Sequence, residues 1–155
     1  MNEADLSFMK EALKEAEAAA SIGEVPVGAV LVKDGVILSR HHNLRETGKM
    51  ATAHAELLCI EDGCRTLGGW RLSGCTLYVT LEPCPMCAGA IVNARLSRVV
   101  YGAKDYRAGA FGSVLNLAAL PLEWRPETEG GVLREEALGL IRTFFERKRN
   151  GPHPQ

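Results

Sequence analysis

The sequence has no apolar run approaching the ~18 residues needed to cross a bilayer, which excludes a membrane-spanning helix from the reading. It also lacks an excess of charge of either sign: 18 Lys and Arg stand against 19 Asp and Glu, for a formal net charge of -1. That excludes a polymer binder working through overall positive charge, though not a local basic patch. An even cysteine count is missing too. Five cysteines, behind the acidic opening Met1-Asn2-Glu3-Ala4-Asp5, read as thiols, metal ligands or core residues of a reduced, cytoplasmic protein rather than as a disulfide framework. No repeat or linker divides the chain. The 155 residues, 46% hydrophobic and 24% charged, fit a single globular domain over 1–150 followed by a frayed tail at 151–155.

Over 5–20, Leu6, Met9, Leu13, Ala16 and Ala20 recur at spacings of three and four, an amphipathic helix with Asp5 as the expected N-cap. Residues 25–32 and 36–39 are apolar and β-branched, and Asp34-Gly35 between them signals a hairpin. Pro26 and Gly28 inside the first run predict an edge, a bulge, or close backbone approach to something bound. A polar loop follows over 41–51, with His41 and His42 at the surface. Beyond it the pattern gives a helix over 52–66, a strand over 76–81, a small-residue helix to about 94 and a strand over 98–102. A weak helix near 113–119, a proline-rich connector over 121–126 and a helix over 133–149 complete it. Strands alternating with helices make this an α/β chain with α/β/α layering, and the hairpin makes its sheet mixed.

Two short segments carry chemistry: His54-Ala55-Glu56 at a helix start, and Pro83-Cys84-Pro85-Met86-Cys87 at a strand-to-helix junction. Cys84 and Cys87 have the spacing that lets two thiolates converge on one metal, and a helix N-terminus favours the thiolate. One imidazole with two thiolates leaves the fourth tetrahedral position of zinc open, which is the catalytic arrangement. Residues at i and i+2 do not share a face in a regular helix. His54 and Glu56 therefore belong in the first turn, with Glu56 a proton carrier rather than a fourth ligand. Zinc lowers the pKa of its water from 15.7 to roughly 7. Glu56 can then take that proton, hand it to a ring nitrogen, and later protonate a departing amine. The paired motifs are a known signature of nucleobase deaminases. A redox role for Cys-x-x-Cys is disfavoured by Pro85-Met86 and by the unused His-x-Glu. Cys59, Cys64 and Cys75 read as small core or partly exposed residues.

Thr52-Ala53-His54-Ala55-Glu56 together with Leu81-Glu82-Pro83-Cys84-Pro85-Met86-Cys87-Ala88-Gly89-Ala90 resembles the cytidine-deaminase-like zinc deaminases. The segments 23–30, 42–47 and 98–105 are similar to the bacterial tRNA-specific adenosine deaminases within that superfamily, and the likeness runs from the first helix to Phe145. The resemblance implies a five-stranded sheet with flanking helices, a homodimer, and conversion of the wobble adenosine (position 34) of a tRNA anticodon to inosine. It implies one zinc ion per subunit on His54, Cys84 and Cys87, with Glu56 as proton donor and acceptor. Asn43 would hydrogen-bond the flipped-out base, Val27 and Ala55 would border it, and Asp105 would contact the anticodon backbone. The chain departs from the usual pattern at Lys49-Met50-Ala51, where many relatives carry Asp-Pro, and around 122–125, where Asn-His is common.

Charge is unevenly distributed. Residues 1–24 hold six acids and two bases, whereas 95–125 hold five bases and two acids, and 142–149 four bases and one acid. The cationic second half could steer phosphate toward the cysteine motif. Arg45, Lys104, Arg107 and Arg147 are the expected RNA contacts, with Phe144 and Phe145 as stacking candidates or, for one of them, packing against the sheet. Two alternatives remain open on the same residues: a deaminase of guanine, cytosine or a free nucleoside, and a non-catalytic zinc module that binds RNA.

Overall fold

The computed structural model describes residues 2–151. Met1 and residues 152–155, most of the expected tail, lie outside the described residues. The first helix, α1 (Glu3–Ser21), is capped by Asn2, whose side chain accepts from the Asp5 amide at 2.8 Å. Asp5 is therefore not the N-cap. It is buried instead, in a bidentate pair with Arg98 that also receives the Tyr78 hydroxyl. A side chain that finds a cation and a hydroxyl in the interior is held there rather than at the helix end.

β1 (Gly28–Lys33) and β2 (Val36–His42) form the expected antiparallel hairpin. Its two turn residues both have positive φ, 50° at Asp34 and 76° at Gly35, the primed turn whose twist matches the flanking strands. After α2 (Ala55–Leu67) come β3 (Cys75–Leu81), α3 (Pro85–Asn93) and β4 (Arg98–Ala103). A single 3₁₀ turn at Leu117–Ala119 stands where a weak helix was expected, then β5 (Glu127–Glu129) and α4 (Arg134–Asn150). The sheet order is β2-β1-β3-β4-β5; β1 is antiparallel to both neighbours, and β3, β4 and β5 are parallel.

Alternation along the strands separates the two faces. Ala29, Leu31, Leu77, Val79, Val99 and Tyr101 point to one side, where they meet Ala55, Cys59 and Ile60 of α2 and Ala88 and Ile91 of α3. Val30, Val32, Tyr78 and Val100 point to the other and meet Met9 and Ala12 of α1, while Ala103 packs with Leu13 and Ala137, the latter from α4. The result is a three-layer sandwich, α1 and α4 over one face and α2 and α3 over the other.

Of the explanations expected for Pro26 and Gly28, the edge and the bulge do not hold, and close approach holds at Gly28. β1 is an inner strand, and the register shift falls at Leu31/Val32 rather than at Gly28. The close approach is to α1 itself: a Cβ on Gly28 would run into the Ala12 carbonyl and the Ala16 amide and lie 2.7 Å from Glu15 Cβ. His41 and His42 also depart from expectation, being half-buried at the end of β2, where His41 meets Asp62 and His42 meets Glu15.

Candidate functional site

Topology gathers the functional residues at one end of the sheet. Because β1 runs antiparallel to β2 and β3, its start lies beside the ends of both, and β4 ends on the same side. Val25 and Val27 precede β1, Asn43 follows β2, Cys84 follows β3 and Asp105 follows β4. The N-termini of α2 and α3 open at this end as well. His54 is the N-cap of α2 and Cys84 the N-cap of α3, neither using its side chain to cap, with Pro85 in the first turn of α3. Proline is well suited there, since its missing N–H would be unpaired anyway.

His54, Cys84 and Cys87 converge, with one donor atom from each within 4.8 Å of the others. His54 Nδ1 lies 3.7 Å from Cys84 Sγ and 3.5 Å from Cys87 Sγ. A tetrahedral zinc with ordinary Zn–S and Zn–N bonds has N···S edges of roughly 3.6 Å, so the donor set fits that ion. The Cys84 thiol is brought down to about 4, chiefly by its hydrogen bond with Cys87 and then by His54. The same pairing, together with burial, pushes Cys87 up. Cys84 in turn raises His54. Glu56, in the first turn of α2 and 4% exposed, is pushed up to about 7, mainly by burial.

A cavity of about 150 Å³ opens beside these groups. His54, Glu56 and Cys84 line it; Cys87 is fully buried and outside the lining. Val25, Val27, Ala55 and Leu81 form apolar walls, and Asn43, Arg45, Glu82 and Asp105 complete the lining with polar groups. Val27, Ala55 and Asn43, expected at the base, and Asp105, expected at the anticodon backbone, all lie in this lining. Two of them are already engaged. Asn43 Oδ1 accepts from the Arg45 amide at 3.1 Å, and its Nδ2 donates to the Val25 carbonyl at 3.4 Å. Asp105 Oδ1 caps a turn, accepting from the amides of Arg107 and Ala108 at 3.0 and 3.2 Å.

Lys104 and Arg107 are exposed on either side of Asp105. Phe144, Phe145 and Arg147 lie on α4. Phe144 and Arg147 line a groove between α1 and α4 that shares no lining residue with the cavity, and Phe145 stands edge-on to Phe144 at 5.3 Å, 40% exposed. Sequence reasoning missed Glu24. Its buried carboxylate accepts from the amides of Glu46 and Thr47, fixing the loop that carries Arg45. It also passed over Val25, Leu81 and Glu82 as lining residues, although all three stand in segments that carried the resemblance. Cys59 and Cys75 are core residues and Cys64 is half-buried, as expected.

Residues 2–103 match the family model described as the cytidine and deoxycytidylate deaminase zinc-binding region. The chain is 52% identical to the tRNA-specific adenosine deaminase of Bacillus subtilis (strain 168), covering 94% of this chain and 91% of that one. Its fold superposes with a TM-score of 0.84 on a solved structure from work on A-to-I editing by tRNA:A34 deaminases at the wobble position of transfer RNA. That match is 43% identical and covers 86% of this chain and 98% of the other. A guanine deaminase from Bacillus subtilis is also similar, at 30% identity and a TM-score of 0.62 over 100% of this chain and 98% of that one.

Proposed function

The chain belongs to the zinc-binding cytidine and deoxycytidylate deaminase family, among its tRNA-specific adenosine deaminases, and on that footing we propose that it converts adenosine 34 of a tRNA anticodon to inosine by hydrolysis. The observation that carries the reading is the His54, Cys84, Cys87 cluster with a buried carboxyl, Glu56, beside it in a small apolar-walled cavity. One zinc ion per subunit on those three residues would supply Lewis acidity and bring water near neutrality in pKa.

The chain's own residues do the rest. Val27, Ala55 and Leu81 enclose a base that has left its stack, and burial of Glu56 keeps bulk water from its carboxyl. Glu56 takes the proton released as water adds at C6 and delivers it to purine N1. It then takes the proton of the new C6 hydroxyl and passes it to the amine, so that the C6 carbonyl of inosine forms as the C–N bond breaks and ammonia departs. Asn43 orients the base, Asp105 meets the anticodon backbone, and Arg45 contacts the RNA at the rim. Lys104, Arg107 and, on α4, Phe144, Phe145 and Arg147 meet the RNA beyond it.

We assign the whole of 1–150 to one deaminase domain. A homodimer is part of the proposal; in its support, Met86, Val114, Leu115, Leu120 and Leu122 are exposed apolar residues on or following α3. A cytoplasmic location is part of it too; among the described residues no helix is long and apolar enough to cross a membrane.

Zinc-loaded protein incubated with an adenosine-34 anticodon stem-loop, free adenosine and guanine should form inosine from the stem-loop alone. Xanthine from guanine with an inert stem-loop would move the assignment to the free-base enzymes. Glu56→Ala should keep its zinc and lose at least about 10³-fold in rate, whereas Cys87→Ala should lose the metal. Wild-type turnover by Glu56→Ala would overturn the mechanism.

A further inference from the structure

Four carboxylates are buried among the described residues: Asp5, Glu24, Glu56 and Glu82. Arg98 offsets Asp5, Glu56 stands beside the metal cluster, and Glu24 holds the 46–47 amides. Glu82 is 2% exposed, and no cation is among its hydrogen-bond partners. A buried charge without a counter-ion is costly unless hydrogen bonds replace the water it has lost. Four do so here, and all come from the loop that follows β4. Oε1 accepts from the Asp105 amide at 3.2 Å and the Ser113 hydroxyl at 2.5 Å. Oε2 accepts from the amides of Phe111 and Ser113 at 2.9 and 3.1 Å. Gly109 completes the seat, because a Cβ there would lie 2.5 Å from Oε2 and from the Asp105 carbonyl oxygen.

A carboxylate has about four acceptor positions. Those of Glu82 are filled by the loop, which leaves it little to offer a substrate although it lines the cavity. It stands two residues before Cys84, so it ties the segment that delivers a metal ligand to the loop that delivers Asp105. We propose that Glu82 is a positioning residue, whose buried carboxylate holds residues 104–113 in the shape that keeps Asp105 in the cavity wall with Lys104 and Arg107 beside it. The inference rests on the tRNA deamination proposed above and places Glu82 apart from the reacting atoms. Loss of the latch frees the loop and leaves His54, Cys84, Cys87 and Glu56 in place, so RNA binding suffers more than turnover.

Glu82→Gln is the probe. Whichever way the new amide is turned, its NH2 confronts at least one backbone N–H, because both oxygens now serve amides. The variant should retain zinc, raise KM for the adenosine-34 stem-loop about tenfold, and keep kcat within about threefold. The amides of Asp105, Phe111 and Ser113 should lose protection from hydrogen exchange. Gly109→Ala, which drives the loop off an unaltered carboxylate, should reproduce the rise in KM. Wild-type KM and unchanged protection in Glu82→Gln would overturn the proposal. So would a collapse of kcat at constant KM, which would make Glu82 catalytic, or loss of zinc, which would make it a support for Cys84. Wild-type protein assayed in parallel separates the two ideas: an inert wild type removes the functional reading, and the exchange data still decide the latch.

Discussion

Asp5 shows how one side chain couples an element to the sheet. Both its oxygens accept from the Arg98 guanidinium, at 2.7 and 2.8 Å, and one also accepts from Tyr78 at 2.8 Å. The Arg98 fork, which also meets Glu129, brings the Asp5 carboxyl from 3.8 to about 2. A carboxyl depressed in the folded state stabilises the fold above its ordinary pKa, and loses that contribution as pH falls through its folded value. Asp5→Asn should therefore be less stable than wild type by about 1–2 kcal/mol at pH 7, the lower side of the full linkage because the guanidinium is partly solvated. The gap should narrow as pH drops from about 4 toward 2. Urea unfolding of both proteins at pH 7, 4 and 3 measures it, and a constant gap would show that Asp5 acts through packing alone.

Among the elements, legibility followed how local the cause is. The metal motif and its helix starts were readable because two caps and four residues define them, and the structure brings His54, Cys84 and Cys87 together. The hairpin was readable from Asp34-Gly35. What escaped had distant causes. Asp5 left the cap position for a partner 93 residues away. β5, only Glu-Thr-Glu, has almost no strand propensity and forms by pairing with β4, where Arg98 meets Glu129. The 113–119 segment is occupied instead by donors to Glu82 and one 3₁₀ turn. Gly28 was flagged correctly as a place of close approach, yet periodicity could not tell that the approaching body is α1. Gly28→Ala should thus cost about 2–3 kcal/mol by forcing α1 away from β1. Thermal unfolding tests this; a loss below about 0.5 kcal/mol would mean that the helix shifts freely.

For the molecule as a whole, the near-zero net charge conceals a division of labour. The acids of α1 are largely spent internally, Glu11 on Lys14 and Arg40, Glu15 on Arg40 and His42. Arg45, Lys104, Arg107 and Arg147 are left exposed. If these four meet phosphates of a single-stranded anticodon loop, log K for the stem-loop should fall against log salt with a slope of about -3. Removing Arg107 should reduce that slope by about 0.7. Fluorescence anisotropy across a salt series reads both, and a flat dependence would remove these residues from the RNA surface.

The two margins of the sheet carry a consequence for behaviour in a crowded solution. A free margin offers unpaired N–H and C=O groups to any strand that drifts alongside, the usual start of fibrous aggregation. Here one margin is β5, three residues long with an acid at each end, so a second copy drawing near would set like charges against each other. The other is β2, whose final residues Arg40, His41 and His42 are tied to Glu15 of α1 and Asp62 of α2. Those charged and polar side chains stand along the edge on both faces of the sheet, which disfavours a strand added there. The fold is thereby guarded against polymerising strand by strand.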